Sequence, residues 1–403
     1  MALLLLTGYT PAMRFAVVGI TILALGQASK PEAPSLLLLD ASRLAHVRSH
    51  ATAPEIKPGL AALEEDAAKA LAVKPASVMD KGMAPPSGDK HDYMSQAPYW
   101  WPDPSKPNGR PYIRRDGDRN PEINKVTDRD NLGRITNAIA TLGLAFHLLG
   151  RDEYASHAAR LTRVWFLDPG TRMNPHLQFG QGIPGINDGR GIGIIETRDL
   201  VPMLDGLLLI KGSPHWTKED ERGLQDWMRA YLTWLLDSTH GKEESQNGNN
   251  HETWYDVQVA GLALYTNQQD VARRTLEGVR QRIARQIEPD GRQPRELERT
   301  RAWDYSEFNL RALLDLARMG DRFGIDLWSY KTADGRGIRQ AIDFMVPFAA
   351  GQREWKYEQL GGFRPDVLHT VLRRAAVGFK APPYRELAMK IGGGSRRLDL
   401  LVP

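Results

Sequence analysis

The sequence predicts an all-α protein built from helical hairpins, and three observations carry that prediction. From about residue 127 onward, apolar residues recur at intervals of three and four, the spacing of one helix face. Strand-type alternation is scarce. No internal repeat is visible, which removes a short-period solenoid. Hairpins of this kind fit a bundle or a ring of helical pairs. The ring is preferred because it lets the long loops at residues 82–126 and 168–198 line a cleft at one end.

The elements follow in order. Leu36 to Leu39 is an apolar run compatible with a strand or a helix start, and the pattern does not choose between them. Leu132, Ile135, Ile139, Leu142, Phe146 and Leu149 form the first strong helical face, with Gly150 where a capping glycine belongs. Tyr154, Ala158, Leu161 and Trp165 continue in a second helix. Thr217-Lys218-Glu219-Asp220 reads as a capping box opening a third, with Leu224, Trp227, Met228, Tyr231 and Leu235 on one face. Val271 to Ile287 forms a fourth, stopped by Pro289-Asp290-Gly291. Leu310 to Ala317, before Gly320, marks a fifth, and Ile338 to Phe348 a sixth.

Composition narrows the class. With 403 residues, 41% hydrophobic and 25% charged, the chain can bury a large core and is neither disordered nor collagen-like. A formal charge of +4 is a mild basic bias that suits a polyanionic ligand, but no Lys/Arg block of the kind that binds nucleic acid is present. The absence of cysteine excludes disulfides, thiolate nucleophiles and Cys-ligated zinc. Near the N-terminus, Arg14 precedes the apolar run Phe15 to Leu25 and then Gly26-Gln27-Ala28, a secretory signal pattern too short for a membrane span. The expectation is a signal segment over residues 1–28, with Met13 as the natural start and residues 1–12 an upstream extension. A single domain over 29–403 then follows, periplasmic or secreted, with no stable membrane association.

Two loops hold candidate binding residues. Tyr99, Trp100 and Trp101 stand together in the Pro-rich segment Tyr93 to Pro104, where stiff backbone can hold flat rings against a sugar or plug the loop to the helices beneath. Tyr112 can extend that wall. In the second loop, Asn174, His176, Gln178 and Arg190 are candidate hydroxyl and carboxylate contacts. The run Gly189-Arg190-Gly191-Ile192-Gly193 lacks the Lys-Ser/Thr ending of a phosphate loop, so its glycines are read as allowing close approach of backbone to a ligand.

The densest chemistry is in Asn249-Asn250-His251-Glu252-Thr253-Trp254-Tyr255 and in Arg299-Thr300-Arg301-Ala302-Trp303-Asp304-Tyr305. An amide and an imidazole at a helix start place polar groups at the positive end of the dipole. Together with a guanidinium and a phenol they can neutralise a carboxylate and move a proton beside it, the chemistry of elimination from an acidic polysaccharide. Asn249, Trp254, Tyr255 and Arg301 are read as flanking substrate contacts. No His-Glu-x-x-His motif and no carboxylate-rich cluster is present, so no metal and no cofactor is expected. Two other readings stay open: a glycoside hydrolase using a pair among Asp188, Glu196, Glu252 and Asp304, and a glycan-binding protein without catalysis.

These motifs, Tyr93-Met94-Ser95 through Asp103, Asn250-His251, and Arg299 through Tyr305, resemble the alginate lyase superfamily of helical toroids. Within it the chain is more similar to the alginate and glucuronan lyases of polysaccharide lyase family 38 than to the periplasmic family 5 enzymes. The resemblance spans roughly residues 80–320. It implies an α/α toroid, an incomplete barrel of six to seven helical hairpins, that cleaves a polyuronate by β-elimination without a cofactor. It also implies that Asn250, His251 and Arg299 neutralise and support the substrate carboxylate and that Tyr305 is the catalytic phenol. The older periplasmic enzymes place the arginine seven residues before the tyrosine. Arg299 stands six before, which makes Arg301 a competitor for the role.

Overall fold

The computed structural model describes residue 8 and residues 36–402; the expected signal segment around residues 14–28 lies outside them. Residues 34–403 group into one compact unit. Its helices, in chain order, are α1 (Ala41–Ser49), α2 (Lys57–Leu71), α3 (Asp128–Leu149), α4 (Asp152–Thr162), α5 (Leu200–Leu209), α6 (Lys218–Asp237), α7 (Thr239–Glu244) and α8 (Asn250–Tyr265). They continue as α9 (Gln269–Gln286), α10 (Pro294–Leu297), α11 (Ala302–Gly320), α12 (Ile338–Ala349), α13 (His369–Gly378), α14 (Pro382–Ile391) and α15 (Leu398–Leu401).

Neighbouring helices pack as successive pairs: α3 on α2, α4 and α5, then α8 on α6, α9 and α11, then α13 on α11 and α14. This is the α/α toroid. The apolar faces read from the sequence turn inward, Leu132, Ile135, Ile139 and Leu142 from α3 and Leu224, Met228, Tyr231 and Leu235 from α6, into one continuous core. α3 is long and apolar enough to cross a membrane by composition, yet here it is a core helix walled by its neighbours. Its crossing with α5 is close because both helices carry glycine there. A Cβ on Gly143 would lie 2.1 Å from the carbonyl oxygen of Gly206.

The helix signals hold in detail. The Thr217 hydroxyl accepts from the Asp220 N–H while the Asp220 carboxylate accepts from the Thr217 N–H, closing the capping box that opens α6. α11 starts earlier than its apolar face suggests, at Ala302, which puts Tyr305 in its first turn. Leu36 to Leu39 is neither strand nor helix. The N–H groups of Leu37, Leu38 and Leu39 all donate to the buried carboxylate of Asp205 on α5.

The two long loops are joined to each other. β1 (Met94–Gln96) in the first pairs in parallel with β4 (Phe179–Gly182) in the second. Beneath the pairing, the buried Glu196 accepts from the Tyr93 hydroxyl at 2.7 Å and the Ser95 hydroxyl at 2.6 Å and pairs with Arg129. The first loop also folds on itself, β2 (Trp100–Trp101) running antiparallel to β3 (Ile113–Arg114). A two-stranded pairing anchored by a buried carboxylate gives both loops fixed positions over the helix ends.

Candidate active site

α8 and α11 each open at the same end of the helix layer, and their first turns carry the polar residues singled out above. Asn249 is the N-cap of α8, its Oδ1 accepting from the His251 N–H at 3.0 Å. Its side-chain oxygen is thereby taken up by the helix start. Asn250 follows, fully buried. Its backbone N–H and its side-chain Nδ2 both donate to the carboxylate of Glu296 on α10, at 2.6 and 2.7 Å, while its Oδ1 is buried with no partner among the described residues.

His251 is half-buried. Its Nδ1 lies 2.7 Å from the buried carboxylate of Glu244, at the end of α7, which Asn247 holds from the other side at 2.7 Å. With Nδ1–H donating to Glu244, the tautomer leaves Nε2 with a free lone pair for a proton. Arg299 and Tyr305 form a second side. The Arg299 guanidinium lies over the Tyr305 ring, 3.8 Å from its centroid, and is gripped by Asp116 through two bonds of 3.0 and 2.9 Å. Burial opposes ionisation of Asp116, yet its bonds to Arg299 and to Arg114 hold its carboxyl well below the usual range. The Tyr305 hydroxyl meets the Tyr99 hydroxyl at 2.8 Å. Glu296 ties the two sides together, within electrostatic range of both Arg299 and His251.

Burial raises the Tyr305 phenol above its ordinary value; Arg299 pulls it down, and Tyr99 and Asp116 push it up again. The guanidinium favours the phenolate, but it is one cause among several. Desolvation outweighs it, and the phenol is protonated near neutral pH.

Arg190 leans toward the Trp100 ring at 5.9 Å and donates to the backbone oxygen and side-chain Oε1 of Gln181, at 3.1 and 3.0 Å. It has no carboxylate partner among the described residues. Burial first, then Arg114, lowers it to about 10. Gln181 itself has φ of 51°, a backbone region that non-glycine residues avoid, and is held there by Arg190 and by the Ser95 hydroxyl. Trp100 and Trp101 are half-buried on β2, the Trp101 indole donating to the Asp118 carbonyl and facing Arg115 at 5.0 Å. Gln178 is exposed beside His240.

Several expected contacts are spoken for elsewhere. Trp254 and Tyr255 are core residues, the first packed on Phe308 and the second donating its hydroxyl to the Leu235 carbonyl. Asn174 and His176 brace Asp92, and Tyr112 donates to Glu122. Arg301 is exposed and paired with Asp304, and of the two arginines only Arg299 lies over the Tyr305 ring. The glycines of the second loop approach backbone rather than leave room for a ligand, since a Cβ on Gly189 would lie 2.0 Å from the Gln178 carbonyl oxygen. Sequence reading missed Asp116, Glu244 and Glu296. Glu296 stands three residues before Arg299 and Glu244 seven before His251, spacings with no local rule to mark them. Among the described residues no group of three His, Asp or Glu is placed to hold a metal ion.

Three of the four carboxylates of the hydrolase alternative are occupied. Glu196 lies in the Tyr93–Ser95–Arg129 network, Glu252 is buried against Arg282 and Arg285, and Asp304 pairs with Arg301. Asp188 stands exposed on its loop.

Residues 77–355 match the alginate lyase family. The chain belongs to that family. A crystal structure of an alginate lyase from Bacteroides ovatus is 40% identical, with a TM-score of 0.88 over 91% of this chain and 99% of its own. Alginate lyase A1-III from Sphingomonas species A1 is 16% identical with a TM-score of 0.55, over 93% of this chain and 99% of its own. A histidine-to-alanine variant of A1-III complexed with a tetrasaccharide is 18% identical with a TM-score of 0.56, over 86% and 93%. At those lower identities the likeness is one of fold. No curated protein matches the chain. As an alginate lyase family member the protein is a polysaccharide lyase acting on an acidic polysaccharide, and the helical toroid is the family's fold.

Proposed function

We propose that this lyase cleaves a 1,4-linked polyuronate (alginate, polymannuronate or glucuronan) by β-elimination, leaving unsaturated uronate ends, and that it works in the periplasm or outside the cell. The observation that carries the reading is that Arg299, over the Tyr305 ring, and His251 both act on the one buried carboxylate of Glu296 that Asn250 also holds, which gathers a cation, a phenol, an amide and an imidazole around it. The export pattern between Arg14 and Ala28 supports the location.

Elimination begins with the C5 proton of a uronate, which is very weakly acidic while the adjacent carboxylate is ionised. Asn250, His251 and Arg299 neutralise that carboxylate and stabilise the charge that develops as the proton leaves. Preorganised donors of this kind are usually the largest catalytic term. Where the C5 proton and the C4 oxygen lie on the same ring side, as in mannuronate, Tyr305 takes the first and delivers it to the second. Arg299, fixed by Asp116, stabilises the phenolate this requires.

One observation favours a second reading, with His251 as base and Tyr305 as acid. Burial keeps Tyr305 protonated, and Glu244 leaves Nε2 of His251 ready to accept. That pairing suits a substrate whose C5 proton and C4 oxygen lie on opposite faces.

The test is an activity screen on polymannuronate, polyguluronate, glucuronan and hyaluronan-type polymers. An ultraviolet-absorbing unsaturated end from one of the first three supports the proposal. A new reducing end without absorbance would replace it with hydrolysis, and binding without product would leave only glycan recognition.

A further inference from the structure

Glu296 is the buried titratable group that the mechanism above leaves unused. Its side chain is sealed between α8, α10 and the segment leading to α11, with 1% of the residue exposed. It accepts two N–H groups from one residue, the backbone and the side-chain amide of Asn250, at 2.6 and 2.7 Å. It forms no ion pair among the described residues. The charged groups that face it are Arg299, after α10, and His251, on α8, while Tyr305 of α11 meets this group through Arg299 lying over its ring. Burial pushes its carboxyl up to about 7, against the pull of the Asn250 bonds, Arg299 and His251.

Asn250 is left lopsided by this arrangement. Its NH2 group is spent on Glu296, and the end of the amide that meets no protein group is the oxygen. A buried polar atom without a partner is costly. The uronate carboxylate brought into this site is an acceptor, and an amide oxygen repels it. A proton on Glu296 reverses the arrangement. The carboxyl C=O still accepts the Asn250 backbone N–H, the new O–H donates to the amide oxygen, and the NH2 group is freed.

We propose that Glu296 is a positioning residue for this lyase: it takes up a proton as the substrate binds, and in that form it turns the Asn250 amide so that its NH2 group donates to the uronate carboxylate. The proposal rests on the polyuronate reading above. The proton comes from solvent and returns there on product release, and no covalent bond to carbon is involved. A substrate carboxylate arriving beside a buried acid disfavours its charged form, so uptake and binding are linked.

A glutamine at this position copies the protonated acid, its C=O accepting and its NH2 donating. Glu296→Ala should lower kcat roughly 100-fold, the loss of one aimed donor, and Glu296→Gln should recover at least about tenfold of that. Titration calorimetry with an oligouronate, in a Tyr305→Phe background and in two buffers of different ionisation heat, should give uptake of roughly one proton at about pH 8. Adding Glu296→Gln should abolish that uptake while binding persists. A folded Glu296→Gln protein as impaired as the alanine variant would overturn the proposal, as would uptake unchanged by the substitution. A native enzyme that yields no unsaturated product from any polyuronate would instead overturn the reading on which it rests.

Discussion

The guanidinium carbon of Arg299 lies over the ring of Tyr305, 3.8 Å from its centroid, while the ring's hydroxyl is bonded to Tyr99. A positive charge on the face and a hydrogen-bond partner at the edge fix the phenol in position. Substitution of Tyr305 by Phe keeps the stack and removes the proton carrier. Turnover should fall by on the order of 100- to 10,000-fold, the usual worth of a positioned acid or base. The Kd for an oligouronate should change little. Near-normal turnover would take the tyrosine out of the mechanism.

The pH profile separates the two proton routes. Burial raises the Tyr305 phenol above its ordinary value, so below that value the phenolate fraction grows about tenfold per pH unit. If the phenolate is the base, kcat/KM on a mannuronate polymer should climb steadily into the alkaline range. If Tyr305 serves as acid, that climb should be absent and the profile should fall as the phenol ionises.

Asp116 reaches the site from the aromatic loop and holds Arg299 through two bonds. Asp116→Ala should free the guanidinium from its place over the ring. A drop in kcat of roughly 10- to 100-fold, smaller than for loss of an aimed donor itself, is expected, with the alkaline limb shifted. A kcat and a pH profile both matching the native enzyme would remove Asp116 from this role.

His251 depends on Glu244 for its tautomer. His251→Ala should cost on the order of 100-fold or more in kcat, and Glu244→Gln should reproduce part of that loss with the imidazole still present. A defect confined to melting temperature, with kcat untouched, would make the pair a packing device.

Away from the site, the α3–α5 crossing depends on two glycines in contact. Gly143→Ala forces a methyl onto the Gly206 carbonyl and should destabilise the fold by about 1–3 kcal/mol or more. Thermal unfolding would register this as a clear fall in Tm.

Much of the fold was legible because helix faces and caps are local signals. The α6 capping box and the inward faces of α3 and α9 follow from spacing alone. The site was legible in part. Asn250 and His251 announce themselves by residue type at the start of α8 and Tyr305 in the first turn of α11, with Arg299 just ahead of that helix. Their partners do not, because Asp116 meets Arg299 across 183 residues and Glu296 meets Asn250 across 46. Trp254 and Tyr255 show the reverse error, in which aromatic character beside a polar pair suggested binding while α8, buried on every side, holds both in the core. The opposing effects on Tyr305 were visible only once burial was known, since desolvation has no sequence signature.

Asp205 receives three consecutive N–H groups from Leu37, Leu38 and Leu39, and this sets a boundary on maturation. Any peptidase that trims the chain must stop upstream of Leu37, or it strands a negative charge in the protein interior.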